Sequence, residues 1–81
     1  MIEKKIKDIL KNKIKDSKIF IQDINGNKDH FSIIVISPEF ENLSIINQHK
    51  IIYDALGEMI TKEIHALQIK TFTWEKWKTE N

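Results

Sequence analysis

The sequence predicts an α+β fold: one small domain with its elements in the order α-β-β-α-β-α, and a three-stranded mixed sheet carrying its helices on one face. Three observations lead there. Between Ile45 and Ile69 the spacing of apolar residues changes from a helical period of about 3.6 to a strand period of 2, so a helix hands over to a strand. Upstream, two apolar runs flank the turn residues Asn25-Gly26-Asn27, the pattern of a β-hairpin. Each end of the chain carries a further helical pattern. With 81 residues there is room for a single domain, residues 1–81. A domain of that size buries a little over roughly 60% of its unfolded surface, so its stability is modest.

The elements follow in order. From Ile2 to Ile14, Ile2, Ile6, Ile9, Leu10 and Ile14 keep helical spacing, with Lys4, Lys5, Lys7, Asp8 and Lys11 on the remaining arc as solvated surface. Asp16-Ser17 ends this helix. Lys18 to Ile24 then alternates, and Phe31 to Ser37 is β-branched and aromatic. We assign Ile19, Ile21, Phe31, Ile33 and Val35 to the buried face and Ser32 to the other. Pro38 cannot continue a central strand, so Ser37-Pro38-Glu39-Phe40 is a turn or a single helical turn. Asn42 or Ser44 caps the long helix. On it Ile45, His49, Ile52, Leu56, Met59 and Ile60 share one side, and Asn47, Lys50, Asp54 and Glu58 the other. After Thr61-Lys62-Glu63 the third strand puts His65, Leu67 and Ile69 on one face and Ala66, Gln68 and Lys70 on the other. A strand, crossover helix, strand unit makes the second and third strands parallel if they are neighbours, so both start at the same end of the sheet. Thr73 caps a short last helix on which Trp74 and Trp77 share a side.

Composition narrows the function. A hydrophobic share of 41% with 31% charged residues describes an ordinary globular domain, and a net charge of +1 does not by itself call for nucleic acid. The chain has no cysteine, which excludes disulfides and thiolate-only metal sites and leaves His, Asp and Glu as ligands. Its apolar runs fall far short of the roughly 20 residues that cross a bilayer, and no signal or transit character is visible, so a cytoplasmic protein without membrane contact is expected. Catalysis finds no nucleophile in a recognisable setting. Gly26 and Gly57 are too far apart for a phosphate-binding glycine fingerprint. An enzyme is not expected.

The run HKIIYDAL, then IHALQIKTFT, then Trp77 after the acidic Glu75 stand in an order that resembles the BolA-like family. Its members carry a His-rich helix start, an I/V-H-A-L strand and a closing T-P-x-x-W turn. The resemblance runs from the N-terminal helix through DHFSIIVISPEF to Trp77, and it implies a BolA-like fold, similar to the class II KH arrangement. Two departures stand out: Trp74 where the family usually has Pro, and Gln48 where it usually has Arg before His49. The second puts any anion-binding or docking role of that Arg in doubt.

The resemblance implies a non-enzymatic adaptor in iron-sulfur cluster assembly and trafficking or in iron homeostasis. Such an adaptor forms a heterodimer with a monothiol glutaredoxin and shares a [2Fe-2S] cluster whose sulfur ligands come from the partner's cysteine and from glutathione. By itself, His65 reads as a histidine at the edge of the core with one ring nitrogen bonded to backbone. The resemblance instead puts it at the His of the H-A-L motif, a cluster ligand. His30 falls where family members place a second ligand, Cys or His. Strict alternation turns His30 to the face opposite Phe31, so the two imidazoles meet only if the chain bends at Asp29-His30. His49, near the start of the long helix, reads as a neutral packing residue. The alternative function is a KH-like nucleic-acid-binding transcriptional regulator. It lacks a GXXG loop and a strongly basic charge, so weak binding is expected, and the protein by itself is expected to be a monomer.

Overall fold

The computed structural model describes residues 2–64 and 66–80, and of Thr61 the backbone only. The chain folds as α1 (Ile2–Lys13), β1 (Lys18–Asp23), β2 (His30–Ile36), a 3-10 turn (Pro38–Phe40), α2 (Ile45–Leu56), α3 (Met59–Lys62), β3 (Ala66–Phe72) and α4 (Trp74–Glu80). The sheet order is β1-β2-β3, with β2 antiparallel to β1 and parallel to β3. This is the α+β fold with a mixed three-stranded sheet that the sequence predicts.

Alternation along the strands decides which side chains make the core. Ile19, Phe31, Ile33 and Val35 are buried, and they cluster with Ile6, Leu10 and Ile14 at α1 and with Ile52 and Leu56 of α2. Ile21 packs against that cluster half-buried. The face assignment of the hairpin therefore holds. Ser37, fully buried after β2, caps the 3-10 turn by accepting from the Glu39 N–H at 3.0 Å, and its hydroxyl donates to the Lys15 carbonyl at 2.8 Å.

The long helix departs from expectation in two respects. It is not continuous from Ile45 to Ile60: α2 stops at Leu56, where Gly57 takes φ 55° and donates its N–H to the Tyr53 carbonyl at 2.9 Å, and the chain re-enters a helical turn as α3. A backbone at positive φ is open to glycine and closed to most other residues, which makes Gly57 a helix stop. The inward stripe is also rotated. Gln48, Ile52 and Leu56 are the buried residues of α2, whereas Ile45 is 58% exposed and His49 half-buried. Ser44, not Asn42, is the cap, accepting from the Asn47 N–H at 3.2 Å.

The last helix departs from the expectation that all helices share one face of the sheet, because an aromatic seat on the opposite face holds it. Thr73 caps α4 by accepting from the Lys76 N–H at 3.2 Å. Trp77 then stacks on Phe20 at 5.6 Å and meets Phe72 edge-on at 5.3 Å. Phe20 and Phe72 point away from the core that Ile19, Ile21 and Leu67 face. α1 and α2 thus lie on one face of the sheet, and α4 closes one end of the other. Trp74 turns elsewhere, donating from its indole to the Asp16 carbonyl at 3.3 Å.

Candidate functional site

The parallel pairing of β2 with β3 sets the geometry. His30 opens β2 and stands in register with Ala66, which opens β3, and the Ala66 N–H donates to the Asp29 carbonyl at 3.1 Å. The two strand starts lie side by side, as the crossover argument predicted. His65 itself, the foremost ligand expectation, lies outside the described residues; its chain neighbour Ala66 is the fixed point on that side.

His30 is held by the loop that precedes it. Its side chain is 43% exposed, and its Nδ1 lies 2.8 Å from Asn25 Nδ2 and 4.0 Å from Asp29 Oδ1. Asn25 Oδ1 is already taken by the Asn27 N–H at 3.1 Å. The amide therefore presents its NH2 group to Nδ1 of the ring. Alternation places His30 on the face opposite Phe31, as expected.

The same loop is organised by Asp23. One carboxylate oxygen accepts from the Gly26 N–H and the other from the Lys28 N–H, both at 3.1 Å. Gly26 and Lys28 take φ 79° and 63°. Lys28 Nζ then reaches across to Glu3 Oε2 of α1 at 2.5 Å. That bond holds the Glu3 carboxyl below its ordinary range, and in return Glu3 raises the Lys28 ammonium. Sequence reading gave Asn25 only as a turn residue and passed over Asp23 and Lys28; the Asx turn, in which a side-chain oxygen accepts from the N–H two residues on, is the bond Asn25 makes with Asn27.

Among the described residues no group of three or more His, Asp or Glu is placed to hold a metal ion. At the opposite end of the sheet lies a cleft of about 500 Å³ between the start of α2 and the end of β3, lined by Ser44, Ile45, Gln48, Thr71, Thr73 and Lys76 among others. Neither His30 nor His49 lines it.

The model of the BolA-like protein family matches residues 2–76. The chain belongs to the BolA-like family. An uncharacterised Haemophilus influenzae protein is 43% identical to it over 77 residues, covering 94% of this chain and 87% of that protein. A second Haemophilus influenzae relative, named a DNA-binding transcriptional regulator BolA, is 38% identical over 56 residues, 69% of this chain and 54% of the relative. Among solved structures, a BolA homologue from Coxiella burnetii superposes with a TM-score of 0.77 at 30% identity, covering 90% of this chain and 91% of its own.

Gln48, the BolA-like departure before His49, is a structural residue here. Its amide nitrogen donates to the carbonyls of Phe40 at 3.2 Å and Leu43 at 2.9 Å, and its oxygen accepts from the Thr71 hydroxyl. With 8% exposure it ties the segment before α2 to β3. No helix among the described residues is long and apolar enough to cross a membrane.

Proposed function

We propose that this BolA-like protein is a non-enzymatic adaptor in iron-sulfur cluster trafficking or iron homeostasis, which pairs with a monothiol glutaredoxin and takes a share in a [2Fe-2S] cluster as cargo. His65 is the first ligand in this reading and His30 the second. The observation that carries it is the register of His30 with Ala66, the residue next to His65, at one end of a parallel strand pair. A partial donor set at an open end of the sheet suits a cluster built mainly by a partner. The cysteine-free composition is consistent with that division, because the partner and glutathione then bring every sulfur. An imidazole in place of a thiolate makes such a cluster easier to reduce and, since ligation requires an unprotonated ring, sensitive to acid.

Mixing the protein with a monothiol glutaredoxin, iron, sulfide and glutathione tests this. A heterodimer whose visible spectrum differs from that of the glutaredoxin homodimer is the expected result. A spectrum identical to the homodimer's, with no mixed species on size exclusion, counts against the reading.

One observation favours a second reading, a DNA-binding regulator: the name carried by the Haemophilus influenzae relative. The physical support is thinner, since a net charge of +1 gives little counterion release and the chain's glycines, Gly26 and Gly57, do not form a GXXG clamp. Micromolar or tighter binding to duplex DNA near 0.15 M salt, with a steep salt slope, would move the assignment to this class.

A further inference from the structure

We infer that Asn25 is a positioning residue for His30: it sets the ring's tautomer and thereby decides which nitrogen His30 offers, Nδ1 and not Nε2. This rests on the proposed reading of His30 as a cluster ligand, and it adds a residue that the family resemblance does not point to. The argument starts from the loop backbone. The Asn27 N–H binds Asn25 Oδ1 at 3.1 Å, which fixes the amide so that its Nδ2 faces the ring at 2.8 Å. A donor at that position needs a lone pair opposite it, and Nδ1 supplies one. The neutral ring then carries its proton on Nε2.

Asp29 works in the other direction. Its Oδ1 stands 4.0 Å from Nδ1, beyond hydrogen-bond reach, and accepts no hydrogen bond. Its field favours a proton on Nδ1. The direct bond from Asn25 outweighs this more distant carboxylate, so the amide decides the tautomer.

The two nitrogens therefore differ in what ligation requires of them. Nδ1 needs only the exchange of one partly solvent-exposed amide bond for a metal. Nε2 needs a proton transfer and a rotation of the amide that also breaks the bond to the Asn27 N–H. Nδ1 is the nitrogen open to a cluster, with the Asn25 amide as its removable cover.

The test uses the cluster-free protein with 15N-labelled histidines, at a pH where all rings are neutral. Long-range 1H–15N correlations report which ring nitrogen carries the proton, with His49 as internal reference. Wild type is expected to show His30 protonated on Nε2. Asn25→Asp keeps an oxygen for the Asn27 N–H and turns the other toward the ring, so the proton should move to Nδ1, changing the tautomer ratio by about tenfold or more, as for a charge-assisted bond. Asn25→Ala removes the amide and leaves Asp29 to act, so the ratio should move the same way by less. An identical ratio in all three proteins, with the fold intact by amide correlations, overturns the inference. In parallel, visible CD of the mixed glutaredoxin complex is compared between wild type and His30→Ala. Indifference there removes His30 from the cluster reading while the tautomer result still stands or falls on its own.

Discussion

Replacing Gln48 with Ala tests whether this side chain holds the helical layer to the sheet. Its amide joins two carbonyls, of Phe40 and Leu43, and the Thr71 hydroxyl, and it is 8% exposed. At roughly 0.5–1.5 kcal/mol net for each hydrogen bond, and with the orphaned groups unable to reach water easily, the loss should come to about 3 kcal/mol. That is a large part of a total stability of roughly 5–15 kcal/mol. In a domain of this size it lowers Tm by roughly 12–24 °C. Urea unfolding followed by circular dichroism gives the value directly, provided the slope is unchanged. A double-mutant cycle with Thr71→Val sharpens it: removing both partners should cost less than the sum of the single losses, by about 1 kcal/mol, since the Thr71–Gln48 bond is counted in each. A Gln48→Ala loss under about 1 kcal/mol, or strict additivity with Thr71→Val, would refute the idea that this bonded hub ties the 3-10 turn to β3.

Other substitutions probe the rest of the fold. Gly57→Ala meets no atom within 4 Å of the new Cβ, so its effect is one of backbone conformation at φ 55°, and we expect a loss of about 1–3 kcal/mol in the same unfolding assay. Trp77→Ala removes ring contacts to Phe20 and Phe72 and should cost about 2 kcal/mol, with α4 losing amide-exchange protection before the sheet does. The Glu3–Lys28 bond gives a signed pH dependence. Glu3 is lowered by Lys28, so its contribution is present above the ordinary carboxylate pKa and is lost as pH falls through the lowered value. Lys28 is raised by Glu3, so the same bond is lost again as pH rises through the raised lysine value. An NMR titration of Glu3 that does not move upward in Lys28→Ala would contradict this.

Much of the architecture was legible because it rests on periodicity. Ile19, Phe31, Ile33 and Val35 could be assigned to the core from alternation, and the parallel pairing followed from the crossover between Ser37 and Ala66. The errors lie where hydrogen bonds override apolar pattern. Ile45 reads as an inward residue, but Gln48 occupies the inward position because its amide has partners on both the Phe40–Leu43 segment and Thr71, which hydropathy does not register. Gly57 was present in the sequence as a stop signal, yet the apolar Met59 and Ile60 beyond it keep the helical stripe and mask the break. Trp77 shows a third kind of miss. The helical period puts it on one side with Trp74, whereas Trp74 turns to the Asp16 carbonyl and the seat of Trp77 on Phe20 and Phe72 requires knowing that α4 crosses to the open face.

At the candidate site the strand starts could be placed from topology, and the loop chemistry could not. Nothing in the pattern around Asn25 ties its amide to His30, because that contact depends on Lys28 adopting φ 63° and on Asp23 gathering the loop amides. Such bonds span three to five residues and leave no periodic trace. The family resemblance pointed to His30 but was silent on what holds it.

The decisive measurement is visible circular dichroism of the reconstituted glutaredoxin complex, recorded for the wild-type chain and for His65→Ala. If the imidazole next to Ala66 completes the shared cluster, the mutant complex should lose the wild-type bands or revert to those of the glutaredoxin alone. Superimposable spectra from the two complexes, at equal cluster content, would contradict the account.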